Sequence, residues 1–234
     1  ERLIMSKNEM KVSAKIVGVT QPTWNISAKT SEELIAYAAR VSNPSNQDNH
    51  DTADGLLKYC MRNKHWSVFE MANAVLEVEA PRDITRQLLR HRSFSFQEFS
   101  QRYSNEIETT PREFRRQDKT NRQNSVDDLS DDIEASSITS TNSVLEQATA
   151  AYKEMIESGV AKECARVVLP EGLTMSRLYV NGTLRSWLHY LEVRDDENVT
   201  QWEHVVLARE IKTALESAFP MIFSMKNWFE DSLI

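Results

Sequence analysis

Residues 74–80 read Ala-Val-Leu-Glu-Val-Glu-Ala, placing Ala74, Leu76, Val78 and Ala80 on one side and Glu77 and Glu79 on the other. Strand side chains point alternately to the two faces of a sheet, so this segment predicts a strand buried on one face and wet on the other. Such a sheet needs a covering layer of helices. Lys11–Thr20 repeats the pattern through Val12, Ala14, Ile16 and Gly18, and Leu173–Val180 reads as a further strand. Thr30 and Glu33 form a capping-box signature ahead of a helix over 31–42. Further helices are predicted over 52–64, over 142–158 with Gly159 closing the last, over 162–168 before Pro170, and over 183–193 and 200–218 before Pro220. Pro81 suits the first turn of a helix carrying RDITRQLLRHR. The expected fold is α+β: one domain over 1–234, with a central antiparallel or mixed sheet flanked by helices.

Several classes are disfavoured. No stretch approaches the roughly 18 apolar residues of a spanning helix, and ERLIMSKNEMKVS lacks the apolar segment of a signal peptide. A soluble, cytoplasmic protein with no membrane partner is expected. Cys60 and Cys164 are too few for a disulfide framework or a cysteine metal site, so no metal is expected. The five glycines, at 18, 55, 159, 172 and 182, form neither G-x-G-x-x-G nor G-x-x-x-x-G-K. Any phosphate must then be held by side chains rather than by a glycine-rich loop.

The net charge of −7 hides an uneven distribution. Arg82–Arg122 holds ten basic against six acidic residues, whereas no Lys or Arg lies between Arg122 and Lys153. Thr120–Ser143, rich in Ser, Thr, Asn and Asp, reads as a surface loop or insertion. Arg82, Arg86 and Arg90, spaced i, i+4, i+8, would line one helix face. Two readings of that stripe stand: an exposed face paired with Glu77, Glu79 and Glu98, or a place for an anion. The continuation to Tyr103 gathers forked cations, hydroxyls, an amide, a carboxylate and aromatics within 14 residues. Arginines bind phosphate bidentately, amides and carboxylates read the edge of a heterocycle, and aromatic rings stack on it. That is an inventory for a nucleotide bound beside a second planar molecule.

Arg90-His91-Arg92, seven residues, then Ser100 resembles the signature of the flavin-dependent thymidylate synthases. The fuller pattern, R-H-R-x-x-S-x-N-E-x-S-x-R-Y, is matched from Arg90 to Tyr103, with Gln97 where Asn is usual. His65-Trp-Ser-Val-Phe-Glu70, Arg86-Gln87, Ala165-Arg166-Val-Val-Leu-Pro170 and the block from Leu184-Arg185 to Arg194, followed by Gln201-Trp-Glu203, resemble other family segments in the same order.

The resemblance implies thymidylate synthesis from deoxyuridylate (dUMP). Methylenetetrahydrofolate would be the carbon donor, and FAD reduced by NADPH the hydride source. It also implies an α/β fold unlike that of the cysteine-dependent enzyme and a homotetramer with sites at subunit contacts. By position, Gln87, Leu88, Leu89, Arg90, Glu98, Phe99, Ser100, Gln101, Arg102, Arg166 and Arg194 match nucleotide contacts. His65, Ser67, Arg90, His91, Arg92, Gln97, Thr183, Leu184, Arg185 and His189 match flavin contacts, with Thr183 where the family often has Asn. Arg194 matches the catalytic arginine that favours an N3-ionised uracil. Ser100 has no matched base nearby and is assigned to hydrogen bonding, and neither cysteine falls in a matched block.

Taken without the resemblance, Arg166 and Arg185 read as surface charges, His189 as a core histidine, His65 as a complement to a helix dipole, and Trp66, Trp187 and Trp202 as packing. Two other functions also fit the residues. One is a nucleic-acid-binding module using segment 82–122 with Phe94, Phe96, Phe99 and Tyr103, which the acidic balance opposes. The other is a flavin- and nucleotide-binding protein without catalysis.

Overall fold

The alternating segment is the second strand of a four-stranded antiparallel sheet in the computed structural model, which describes residues 10–104 and 106–224. Strand β2 (Asn73–Pro81) buries Ala74, Leu76, Val78 and Ala80 completely. Strand β1 (Ser13–Val19) pairs along one side of it, in a register that shifts between Ile16 and Gly18. On the other side lies β6 (Met175–Thr183), and β3 (Ser95–Glu98) closes the order β1-β2-β6-β3. Every pairing is antiparallel, which decides between the two sheet types expected.

The open face carries polar cross-strand pairs: Lys15 with Glu77 at 2.6 Å, Tyr179 donating to Glu77 at 2.7 Å, and Arg177 donating to Glu79 at 2.6 Å. The covered face packs on α6 (Leu184–Arg194) and α7 (Trp202–Ala218), whose Trp187, Leu188, Leu191, Leu207, Ile211 and Leu215 join one apolar core. Helix α1 (Ser31–Ala39) opens with the predicted capping box: the Glu33 amide donates to Thr30 Oγ1 at 3.1 Å and the Thr30 amide to Glu33 Oε2 at 3.3 Å. Helix α2 (Ala53–Arg62) packs beside it, and the short α8 (Pro220–Phe223) begins at the proline that ends α7. Among the described residues, no helix is long and apolar enough to cross a membrane. The N-terminal reading at 1–9 lies outside the described residues.

Two expectations are corrected. Helix α3 (Arg82–Leu88) stops before Arg90, and Pro81 is the last residue of β2 and caps the helix instead of standing in its first turn. The arginine stripe is therefore not one face. Arg82 lies 3.8 Å from Glu98, Arg86 pairs with Glu171, and Arg90 stands past the helix end. Glu77 and Glu79 are occupied across the sheet.

The second correction concerns 120–143. Its first part holds β5 (Ser125–Val126), which pairs with β4 (Arg116–Gln117) just before it, but from Asp131 onward α4 (Asp131–Glu157) makes it helix. Asp131, Asp132 and Glu134 in the first turn complement the dipole. Ser137 and Thr139 turn their hydroxyls back to the carbonyls of Ile133 and Ala135, at 2.8 and 2.9 Å, so polar residues that usually favour loops sit within a helix. Gly159, at φ +84°, ends it as expected. After it come α5 (Lys162–Ala165) and a 3-10 turn over Arg166–Val168.

Candidate active site

The signature segment leaves α3 in a tight turn, with the His91 amide donating to the Leu88 carbonyl at 3.0 Å and the Phe94 amide to the His91 carbonyl at 3.3 Å. Phe94 anchors the turn. It is buried, 4.3 Å from the Trp187 ring centroid, and lies against Gly182, where any Cβ would overlap its ring. Ser186 adds a bond to the Ser93 carbonyl at 3.4 Å. A rigid turn thus docks on β6 and α6 and leaves Arg90 and Arg92 exposed. Neither has a carboxylate partner among the described residues.

His91 points inward. Its ring meets Tyr190 edge-on at 5.1 Å, and its Nε2 accepts from Arg194 Nε at 3.0 Å. Burial, with the Arg194 charge beside it, pushes the imidazole down to about 4. A neutral His91 can accept this bond, and the two Nη nitrogens of Arg194 stay unpaired among the described residues. Burial also lowers the Arg194 guanidinium, which remains a cation at neutral pH. Beneath lies Tyr190, its phenol pushed up by burial, with its hydroxyl 3.1 Å from Nε2 of the fully buried His204. His204 is pushed down to about 3 by burial and by Arg194 and His91.

Of the positions matched to the nucleotide, Gln87 is tied to this pair through His204 and Tyr190, while Glu98, Phe99 and Arg102 are held by β6 and α5. Gln87 reaches His204 Nδ1 through its carbonyl at 3.2 Å. Glu98 accepts from Ser176 at 2.7 Å, and the Phe99 amide bonds the Arg177 carbonyl at 2.8 Å. Ser100 accepts from the Arg102 amide at 3.3 Å, and Gln101 is buried. Arg102 Nε lies 3.3 Å from Glu163, and Lys162 bonds the Tyr103 carbonyl at 3.2 Å, so the end of the signature is tied to α5 and the adjoining turn that carries Arg166. Arg166 has no carboxylate partner among the described residues. Leu88 is fully buried in the core, which leaves only its backbone for a ligand, and the half-buried Leu89 packs against that core.

The flavin set lies along α6 and the 3-10 turn Trp66–Glu70, which pack together. His65 and Ser67 are exposed, Arg185 pairs with Glu70, and His189 packs on Trp66 at 4.9 Å and bonds Glu192 at 3.2 Å. His189 is thus on the surface side and not in the core. Thr183 caps α6, its hydroxyl accepting from the Ser186 amide at 3.2 Å. Leu184 is fully buried, which leaves only its backbone for a ligand. Gln97 stands apart on the open sheet face opposite Tyr179. The donor chemistry fits an anionic dinucleotide: Arg90 and Arg92 have no carboxylate partner among the described residues, and imidazoles and hydroxyls stand among the same matched positions. Among the described residues no cluster of His, Cys, Asp and Glu could hold a metal. Sequence reasoning gave no role to Tyr190 or His204. Tyr190 lies inside the matched block 184–194, and His204 directly follows the matched Gln201-Trp-Glu203.

The description "Thymidylate synthase complementing protein" matches residues 25–221. The chain is 49% identical over 218 residues to a probable flavin-dependent thymidylate synthase of Paramecium bursaria Chlorella virus 1, covering 93% of this chain and 100% of the relative. The chain belongs to the flavin-dependent thymidylate synthases. A second member of this family, from Synechocystis, is 42% identical over 219 residues, with 93% of this chain and 100% of the relative covered. In structure, this flavin-dependent thymidylate synthase chain is similar to the UMP/dUMP methylase PolB of Streptomyces cacaoi, solved bound with 5-Br dUMP. The TM-score is 0.75 at 29% identity, covering 92% of this chain and 94% of the other.

Proposed function

We propose that this chain is an enzyme that methylates dUMP to dTMP, with methylenetetrahydrofolate as carbon donor and FAD, reduced by NADPH, as its flavin. The observation that carries this reading is the Arg194–His91 pair, with Arg90, Arg92 and Arg166 lacking a carboxylate partner among the described residues around the same signature. Bound FAD would supply the hydride that completes the methyl group. The chain's own residues bind and orient. Arg90, Arg102 and Arg166 offer forked donors to a phosphate, while His65, Ser67, Arg92, Arg185 and His189 offer donors to the dinucleotide. His91, held neutral, accepts from Nε and so aims the free Nη edge of Arg194. A guanidinium placed against a uracil ring that gains negative charge stabilises that charge and makes C5 more nucleophilic.

Cys60 is buried, its thiol raised by burial, and Cys164 is exposed, so neither has the activated setting of a nucleophile. The nucleic-acid-module alternative finds no support among the relatives. Assembly as a homotetramer, with neighbouring copies completing the sites, belongs to the same proposal. The purified protein should be yellow, bleach with NADPH without oxygen, and recolour in air. A colourless protein with steeply salt-dependent RNA affinity would overturn the reading.

A further inference from the structure

Behind the candidate site runs an unbroken chain of hydrogen bonds that crosses from α7 to α3 and back. Arg115 pairs with Glu203 Oε1, and Gln201 Nε2 donates to Glu203 Oε2 at 2.9 Å. Gln87 Nε2 donates to Gln201 Oε1 at 2.8 Å, Gln87 Oε1 meets His204 Nδ1 at 3.2 Å, and His204 Nε2 meets the Tyr190 hydroxyl at 3.1 Å. Glu203, His204 and Tyr190 are buried, Gln87 is half-buried, and Gln201, though exposed, has both ends of its amide engaged within the chain.

The direction of this chain is forced from one end. Burial opposes ionisation of Glu203, and the Arg115 bond and charge outweigh it, so the carboxyl titrates below its ordinary value. An ionised carboxylate only accepts. Gln201 must therefore turn its NH2 to Glu203 and its carbonyl to Gln87. Gln87 must turn its NH2 to Gln201 and its carbonyl to His204. A carbonyl accepts, so His204 carries its proton on Nδ1, leaving Nε2 to accept from Tyr190.

We propose that Glu203, Gln201 and His204 are positioning residues that lock the Gln87 amide in one orientation at the nucleotide site and fix the Tyr190 hydroxyl as a donor beneath His91 and Arg194. This rests on the assignment of Gln87 to the nucleotide. An amide turned over would present an acceptor where the nucleotide meets a donor. A Tyr190 hydroxyl turned over would aim its proton away from His204.

Glu203→Gln tests this with almost no change in volume. Arg115 would hold the new carbonyl, and Arg115 keeps Glu113 at 3.2 Å as a carboxylate partner. The new NH2 would then face Gln201, which reverses every amide in turn and moves the His204 proton to Nε2. In full-length protein with 15N-labelled histidine, long-range proton–nitrogen spectra show which ring nitrogen is protonated, and His204→Gln identifies the signal. The expected result is a neutral Nδ1–H form in the wild type and an Nε2–H form in Glu203→Gln. The dissociation constant for dUMP should rise about tenfold, the equivalent of one misdirected hydrogen bond. An Nε2–H or protonated His204 in the wild type at pH 6, an unchanged tautomer in the variant, or a switched tautomer with unchanged dUMP affinity would each overturn the proposal. If Glu203→Gln does not fold, Gln201→Leu cuts the chain and should give mixed tautomers, and an unchanged single tautomer overturns it. A wild type that binds no dUMP sinks the role given to Gln87 together with the nucleotide reading, while the tautomer switch separately decides the direction of the chain.

Discussion

Arg194 Nε donates to His91 Nε2 at 3.0 Å, joining the end of α6 to a turn 103 residues earlier. If the two act as a unit, their substitutions should not add. Arg194→Ala should lower turnover about 10²- to 10³-fold, the scale of a lost electrostatic donor. His91→Phe, which keeps a ring against Tyr190 but removes the acceptor, should cost less. The double variant should be no slower than Arg194→Ala alone. Steady-state rates at matched flavin content check this, and near-normal turnover in Arg194→Ala would remove its assigned role.

Three groups, Glu32 and His204 buried and His91 half-buried, make stability depend on pH in opposite senses. His91 and His204 titrate at about 4 and about 3 when folded, below the ordinary histidine value of 6.5, so their contribution is lost as pH falls below 6.5. Glu32 is raised to about 7 by burial, its carboxyl accepting from the Ile222 amide at 3.0 Å, so its contribution is lost as pH rises from 4.5 towards 7. Between 4.5 and 6.5 the two effects oppose each other. Glu32→Gln should therefore make stability climb more steeply with pH across that window, by about one proton, or about 1.4 kcal/mol per pH unit. Urea unfolding at several pH values measures it, and identical slopes would contradict the shift assigned to Glu32.

Gly182 is required by Phe94, because a methyl group there overlaps the ring that anchors the signature turn. Gly182→Ala should destabilise the fold by about 1–3 kcal/mol and weaken flavin and dUMP binding together. Thermal unfolding and ligand titration check this. Unchanged stability would mean that the turn adapts.

Cys164→Ser should leave turnover within about twofold, since an exposed thiol without an activating partner is not the nucleophile. Cys60 is buried, and Cys60→Ser should cost stability before it costs rate, about 1–3 kcal/mol for a hydroxyl placed in an apolar site. Abolished turnover with intact folding and flavin content would instead reveal a cysteine mechanism.

The strand at 74–80 was legible because a half-buried strand writes its two faces into alternate residues, and the signature from Arg90 to Tyr103 was legible as an ordered motif. Helix α4 was legible from Asn142 on but not over 131–141. Its Ser137 and Thr139 satisfy their hydroxyls on the preceding turn, and composition alone does not separate that from a loop. The end of α3 before Arg90 was hidden too, because Phe94 draws the chain down onto Trp187 and Gly182 from far along the sequence. Tyr190 and His204 escaped notice for a similar reason. His204 meets Gln87 only because α7 folds back beside α3, 117 residues away.

Release of tritium from dUMP labelled at C5 tests the account most directly, because only bond making at C5 frees that hydrogen. With methylenetetrahydrofolate and NADPH present, the yellow protein should release tritium in step with dTMP formation, and omitting either should stop dTMP. A yellow, folded protein that binds dUMP yet releases no tritium under these conditions would contradict it.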